Sequence, residues 1–390
     1  MISGLPPGLI LIAGAAAIPF VGPTIRKALV LALPVLTLAL IWGTGIDAGT
    51  VWSAPFMGYD VSPVRYAPTG MLFATVFSIM AFGGALFALR SARPSEMAAA
   101  FLYAGSAIGV VFAGDLITLF VFWEIMAIGS TMVVWNGRSD AARRAGLRYA
   151  LIHFFGGIVL MIGLIGHIEA TGAIAFDVMQ ADAWPRWLIL TGFLINAGAW
   201  PLSSWIPDAY PEASPAGMVF LSAFTTKTAV FVLLVGFPGT QALIYVGLFM
   251  IFYGIIYALL ENDMRRILAY SIVNQVGFMV VGIGIGTEMA LNGAAAHAFA
   301  HIIYKGLLLM SAGSVLYMTG KRKCSDLGGL FQSMPITATC GIIGALAISA
   351  FPLTSGFISK SMINQSAADQ HMMVVWLLLT AASAGVFLHA

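Results

Sequence analysis

The run AAAHAFAHIIYKGLLLM places His297, His301 and Lys305 at i, i+4 and i+8. On a helix each step of four residues drifts only about 40°, so the three side chains form one oblique stripe about 12 Å long. Imidazole titrates near neutral pH and suits the handing on of a proton. Two histidines one turn apart can also hold zinc. The glutamate of an HExxH site is missing, however; Phe299 and Ala300 occupy that stretch. A structural stripe, hydrogen-bonded to neighbouring helices, is the other reading.

Three more ionisable residues stand in apolar runs. Glu124 lies in LITLFVFWEIMAIGSTMVVW, nine residues past Asp115. That is about 14 Å down a helix, near the middle of a hydrocarbon core about 30 Å thick. Lys227 lies in PEASPAGMVFLSAFTTKTAVFVLLVGF and Lys360 in AISAFPLTSGFISKSMINQ. A charge at that depth costs about 3 kcal/mol on the gentlest scale, so each asks for a reason. Glu124 reads either as a structural carboxylate or as a proton carrier. Paired with Lys227 it makes a coupled device, in which protonating the glutamate encourages the lysine to release its own proton. A direct Glu124–Lys227 ion pair is therefore expected. Pro207, Pro211, Pro215 and Gly217 precede Lys227, and Pro352 and Gly356 precede Lys360. Breakers at membrane depth are tolerated where they line a cavity. Two interrupted helices in corresponding halves point to an inverted repeat and its ion site.

The elements that position these residues are membrane spans. Of the 390 residues 60% are apolar and only 9% charged, against about 25% charged in soluble domains. Apolar runs fall near 6–22, 28–46, 69–89, 97–114, 115–135, 149–168, 187–205, 215–237, 240–260, 266–286, 291–318, 335–351, 355–367 and 371–389. The piece at 355–367 is too short to cross alone and joins 335–351 as one broken helix, leaving about thirteen crossings. With the N-terminus outside, the inner loops carry 13 of the 18 Lys and Arg; the outer loops carry only Arg65 and Arg186. By the positive-inside rule the basic loops are cytoplasmic. The N-terminus lacks the charged start and cleavage site of a signal peptide and reads as the first span.

Other polar residues are expected to be less informative. His153, His167 and Glu169 read as solvent-facing or capping groups near span ends. Asp208 and Glu212 either admit protons or cap a helix. Asp263, Arg265 and Arg266 read as a surface charge cluster, and Asn274 and Gln275 as bonds between helices. Cys324 and Cys340 read as isolated thiols. A net charge of +2 gives no reason to expect nucleic acid.

Several segments together carry a family resemblance: FVFWEIMAIGS, WIPDAYPEASPAG with LSAFTTKTAVF, DMRRILAYSIVNQVGFM, HAFAHIIYKGLLLMSAGSV and FPLTSGFISK. Over about residues 60–390 the chain resembles the antiporter-like proton-channel subunits shared by respiratory complex I and Mrp-type cation/proton antiporters. LSAFTTKTAVF and the closing AASAGVFLHA are most similar to the D-type Mrp subunits. The resemblance implies an all-α polytopic fold of two inverted five-helix repeats, each with a broken helix. Residues 1–96 would be peripheral helices, 97–260 the first repeat and 261–390 the second. Because the family usually continues into another helix, the second repeat is expected to be truncated at Ala390. The resemblance also implies a proton axis through Glu124, Lys227, His297, His301, Lys305 and Lys360. Three functions follow as expectations: a proton-translocating component of a multisubunit Na⁺/H⁺ or K⁺/H⁺ antiporter in the cell (inner) membrane, a proton-pumping component of a redox complex, or a structural component. The implied partners are other hydrophobic subunits and the lipid bilayer. The chain shows no Fe–S cysteine set and no Rossmann fingerprint, so no cofactor or metal is expected.

Overall fold

A computed structural model describes residues 5–43 and 49–388. The span ends expected at 44–46 and at 389 lie outside the described residues. The first helices are α1 (Leu9–Ala17) and α2 (Pro23–Gly43), followed by a hairpin of β1 (Val51–Phe56) and β2 (Tyr59–Arg65). Then come α3 (Pro68–Ala88), α4 (Pro94–Phe112), α5 (Leu116–Trp135), α6 (Asp140–Thr171), α7 (Trp184–Ala197) and the short α8 (Trp205–Ala209). A broken pair, α9 (Pro215–Ala223) and α10 (Thr225–Gly236), leads to α11 (Ala242–Leu260), α12 (Met264–Ile285) and α13 (Glu288–Thr319). The chain closes with α14 (Leu330–Ser333), α15 (Pro335–Ile348), α16 (Ser355–Asp369) and α17 (Met373–Phe387). Among the described residues nine helices are long and apolar enough to cross a membrane, counting α9–α10 as one, and three shorter apolar helices accompany them. The chain is thus an all-α polytopic membrane protein with one small hairpin.

The hairpin has no counterpart among the expected elements. Its two-residue turn, Met57 and Gly58, has positive φ at both positions (48° and 86°), the pattern that matches the twist of paired strands. It sits over the α4–α5 junction, where Gly114 N–H donates to Ser62 O and Ser62 N–H donates to Asp115 Oδ2 at 2.7 Å. Asp115 also caps α5 through Thr118 N–H. One carboxylate thus starts the helix that carries Glu124 and ties it to the hairpin.

Boundaries differ from expectation where local chemistry competes with apolar pattern. α6 begins at Asp140, well before the expected 149, because Ser139 accepts from Ala142 N–H as its N-cap. α7 stops at Ala197 rather than 205, because Gly198 closes it in the left-handed conformation (φ 79°). The first break also lies elsewhere. Pro207 and Pro211 sit in short helical turns, and Pro215 occupies the first position of α9 behind the Ser214 cap, where proline is well tolerated. The interruption itself is at Phe224.

α13 is the central helix, packed on α3, α9, α10, α12, α15 and α16. α11 and α12 are joined by a glycine seam. A Cβ at Gly247 would lie 2.7 Å from Gly277 O, one at Gly254 2.6 Å from Asn274 N, and one at Gly284 2.7 Å from Ile244 N. Small residues allow such close backbone approach between membrane helices. On α6, by contrast, Leu147, Leu151, Phe154, Ile158, Ile162 and Ile165 form an exposed apolar stripe, as a lipid-facing surface requires.

The basic loops gather at one end. Arg148 holds Asp208 through two hydrogen bonds (2.6 and 2.7 Å), and Arg322 joins Glu212 (3.2 Å) and Asp263 (2.7 Å). Asp208 and Glu212 are therefore ion-paired. Arg266 pairs with Glu261 at 2.8 Å, but Arg265 is buried and donates to Ala213 O and Ser214 O. It locks the start of α9 rather than joining a surface cluster. The opposite end carries the Arg65–Asp177 and Arg186–Asp182 pairs.

Candidate functional site

Lys227, His297, His301 and Lys305 are fully buried, and Lys360 is 3% exposed. Each lysine finds oxygen partners. At the first break, Lys227 Nζ donates to Ser222 O at 2.7 Å and to Thr226 Oγ1 at 3.1 Å. At the second, Lys360 Nζ donates to Ile348 O at 3.0 Å. Interrupting a helix frees carbonyls that would otherwise accept within it. In both broken helices the buried lysine uses such a carbonyl. The second break, 349–354, holds Ala350 and Leu353 at positive φ (55° and 71°), a conformation uncommon for residues with a side chain.

Between the breaks α12 and α13 supply a row of buried polar groups joined in two separate hydrogen-bonded sets. Lys305 Nζ donates to Ser271 Oγ at 2.8 Å. One turn along α12, Gln275 Oε1 lies 3.0 Å from His297 Nε2 and accepts from Tyr304 OH at 3.4 Å. His297 Nδ1 meets Ser359 Oγ at 2.8 Å, next to Lys360. Gln275 Nε2 donates to Asn274 Oδ1, and Asn274 Nδ2 donates to Ile251 O across to α11. The two amides together thus link α12 to its neighbours. Lys360 Nζ also lies 4.7 Å above the Phe278 ring, within cation–π range. His301 sits between His297 and Tyr304, and neither ring nitrogen is hydrogen-bonded among the described residues. Both His297 nitrogens are engaged, and the described residues bring no three metal ligands together. Cys324 and Cys340 are free thiols.

Glu124 is half-buried between α5 and α6, and its Oε1 has no hydrogen-bond partner among the described residues. No ion pair joins it to Lys227 among the described residues, so the expected direct contact is absent. The helices meet differently. Gly157 faces Glu124, and a Cβ there would overlap the carboxylate. Lys227 instead turns toward the carbonyl end of its own break.

Sequence reasoning missed the hydroxyls of this site. Ser271 and Ser359 complete the line, and Tyr103 fastens the first break. The Tyr103 hydroxyl accepts from Thr225 N–H at 2.8 Å, shares a 2.6 Å hydrogen bond with Thr225 Oγ1 and lies 3.3 Å from Leu221 O. The i, i+4 spacing of Ser271 and Gln275 was the available signal. His153 and His167 are buried, not solvent-facing, while Glu169 is exposed.

A polytopic helical bundle with a buried lysine at each of two helix breaks and buried polar groups between them defines a class of membrane protein. The chain belongs to the family described as NADH:quinone oxidoreductase/Mrp antiporter, TM, whose model matches residues 113–385. It is 32% identical over 289 residues to the probable K(+)/H(+) antiporter A/B subunit of Rhizobium meliloti, covering 70% of this chain and 29% of the relative. It is 29% identical over 339 residues to the D subunit of the Na(+)/H(+) antiporter of Alkalihalophilus pseudofirmus, covering 79% and 67%. It is also 30% identical over 288 residues to the M subunit of the NADH-quinone oxidoreductase of Pseudomonas aeruginosa, covering 66% and 56%. The chain thus spans from under a third to two thirds of these relatives. Its fold matches the solved Mrp complex from Dietzia sp. DQ12-45-1b with a TM-score of 0.91 at 22% identity, over 100% of this chain and 78% of that one. It matches the membrane-bound sulfane sulfur reductase, an archaeal respiratory membrane complex, at 0.89 and 23%, over 100% and 85%.

Proposed function

We propose that the chain is the proton-translocating part of a multisubunit monovalent cation/proton antiporter. The working groups are Glu124, Lys227, His297, His301, Lys305 and Lys360. The observation that carries the reading is the row of buried ionisable and polar groups between two broken helices, each with its lysine on a freed carbonyl. A proton gained or lost at one buried station changes the electrostatic cost at the next, so occupancy passes along the line. A membrane potential adds about 2.3 kcal/mol per charge per 100 mV, enough to bias such steps. Residues 97–260 and 261–390 act as the two repeats, with 1–96 peripheral, in about thirteen crossings. The basic end faces the cytoplasm of a cell (inner) membrane. Other hydrophobic subunits complete the proton paths, and Na⁺ or K⁺ is the exchanged ion. The relatives named as antiporter components support this assignment.

The relative named as part of an NADH-quinone oxidoreductase supports a second reading, in which the same line serves a redox complex. Purifying the tagged chain from its native membrane in mild detergent separates the two. Small hydrophobic partners without redox cofactors support the antiporter; Fe–S or flavin subunits overturn it in favour of the redox complex. In everted vesicles holding the native complex, Lys227→Ala is expected to lower proton-coupled transport at least about tenfold, the effect of about 1.4 kcal/mol. Transport at the parent rate in an intact complex would overturn the proton line.

A further inference from the structure

Glu124 and Lys227 form no ion pair among the described residues, yet one face of α6 meets Glu124 and the first break. Tyr149, His153 and Gly157 follow at i, i+4 and i+8 and share one face. Gly157 bears against the Glu124 carboxylate. His153, one turn away, is 1% exposed. Tyr149 OH lies 3.4 Å from Thr225 Oγ1, and the neighbouring Thr226 hydroxyl accepts from Lys227 Nζ at 3.1 Å.

The chemistry of His153 is set by its neighbours. Its Nδ1 lies 2.9 Å from Asn196 Oδ1. An amide oxygen only accepts, so with this orientation of Asn196 the ring carries its hydrogen on Nδ1. Nε2 is then a bare acceptor, and it has no partner among the described residues. The rings of Tyr149 and Trp205 pack beside it, with centroids at 4.0 and 4.6 Å. Glu124 Oε1 is a second buried acceptor without a donor. Glu124, on α5, bears on Gly157 of α6, four residues and about 6 Å of axial rise from His153, a separation that water can bridge for one proton. A buried acceptor left bare is costly, so each of the two asks for a hydrogen.

We propose that Glu124 and His153 form a shared proton site, the first station of a line that leads along the Tyr149, Thr225 and Thr226 hydroxyls to Lys227. The proposal rests on the transport reading above. The proton arrives as Glu124 Oε1–H. That bond breaks, the bridging water relays the proton and an Nε2–H bond forms, leaving a Glu124 carboxylate and a His153 imidazolium. The Nδ1–H bond to Asn196 stays intact, so the proton leaves from Nε2. Asn196 is thereby a positioning residue.

The test uses the native complex in everted vesicles. His153→Gln keeps an amide donor for Asn196 but binds no proton. Its expected rate is at least tenfold below the parent with the complex at the same level, as is that of Lys227→Ala. If Lys227→Ala falls at least tenfold and His153→Gln stays within twofold of the parent, the shared site is wrong and the transport reading stands. If Lys227→Ala keeps the parent rate, both fall. A second measurement covers a His153 variant that does not assemble. Infrared spectra of ring-labelled histidine in the Glu124→Gln complex should show the His153 titration displaced from its parent position. An unmoved His153 titration would overturn the proposal.

Discussion

Replacing Tyr103 by Phe removes one oxygen from the centre of the first helix break. That oxygen accepts the Thr225 N–H, which begins α10, and approaches Leu221 O near the end of α9. Thr225 is 1% exposed, so water cannot replace the lost partner without opening the structure. A buried donor left unsatisfied costs about 1–3 kcal/mol. The Thr225 Oγ1 hydrogen bond has a fallback in Tyr149 OH at 3.4 Å; the amide has none. Amide hydrogen exchange reads the cost directly, because opening free energies set protection. The Thr225 amide of Tyr103→Phe should exchange about 5- to 150-fold faster than in the parent, the factor that corresponds to that cost. Amides at the glycine seam of α11 and α12 should not change. Unaltered exchange at Thr225 would refute the argument that this hydroxyl holds the break together.

Gly277→Ala places a Cβ 2.7 Å from Gly247 O; overpacking of this kind costs about 1–3 kcal/mol, and thermal unfolding in detergent should show it. Ser271→Ala removes the hydroxyl that Lys305 Nζ meets at 2.8 Å; transport should fall while Ser271→Thr, which keeps a hydroxyl, retains most of it in the same vesicle assay. Glu261 lies outside the spans. Burial pushes its carboxyl up, but the N–H groups of Asn262 and Asp263 and the Arg266 guanidinium outweigh this and hold it below the usual range. Its stabilisation is therefore present above the unfolded value and lost as pH falls through the lower folded value. Acid unfolding of Glu261→Gln should show a shallower pH dependence below about pH 4.3, by no more than an exposed ion pair provides, about 1 kcal/mol.

The spans were legible because lipid demands long apolar runs, and the buried lysines because charge in such runs is conspicuous. What the chain concealed was hydroxyl chemistry. Ser271, Ser359 and Tyr103 are ordinary in a membrane helix, and their partners lie 34, 62 and 122 residues away. The position of the first break was hidden for a related reason. Proline marks where a helix begins as readily as where it fails, and Pro215 does the former. Arg265 looks like its neighbour Arg266, but consecutive helix positions point about 100° apart, one into the protein and one out. The Glu124–Lys227 contact rested on charge complementarity alone, which says nothing about the carbonyls a broken helix offers instead.

The glycine seam divides the molecule mechanically. With backbone laid on backbone at Gly247, Gly254, Gly277 and Gly284, α11 and α12 behave as a two-ply beam. Sliding one ply would drive each glycine into the next residue of its partner. Ser271, Gln275 and Phe278 are mounted on that beam, while Lys305, His297 and Lys360, which they meet, are mounted on the helices beside it. One partner in each of these three contacts is therefore bolted to a fixed rail. The two hydrogen bonds and the cation–π contact therefore share one backbone frame on the α12 side, while their other ends belong to α13 and α16.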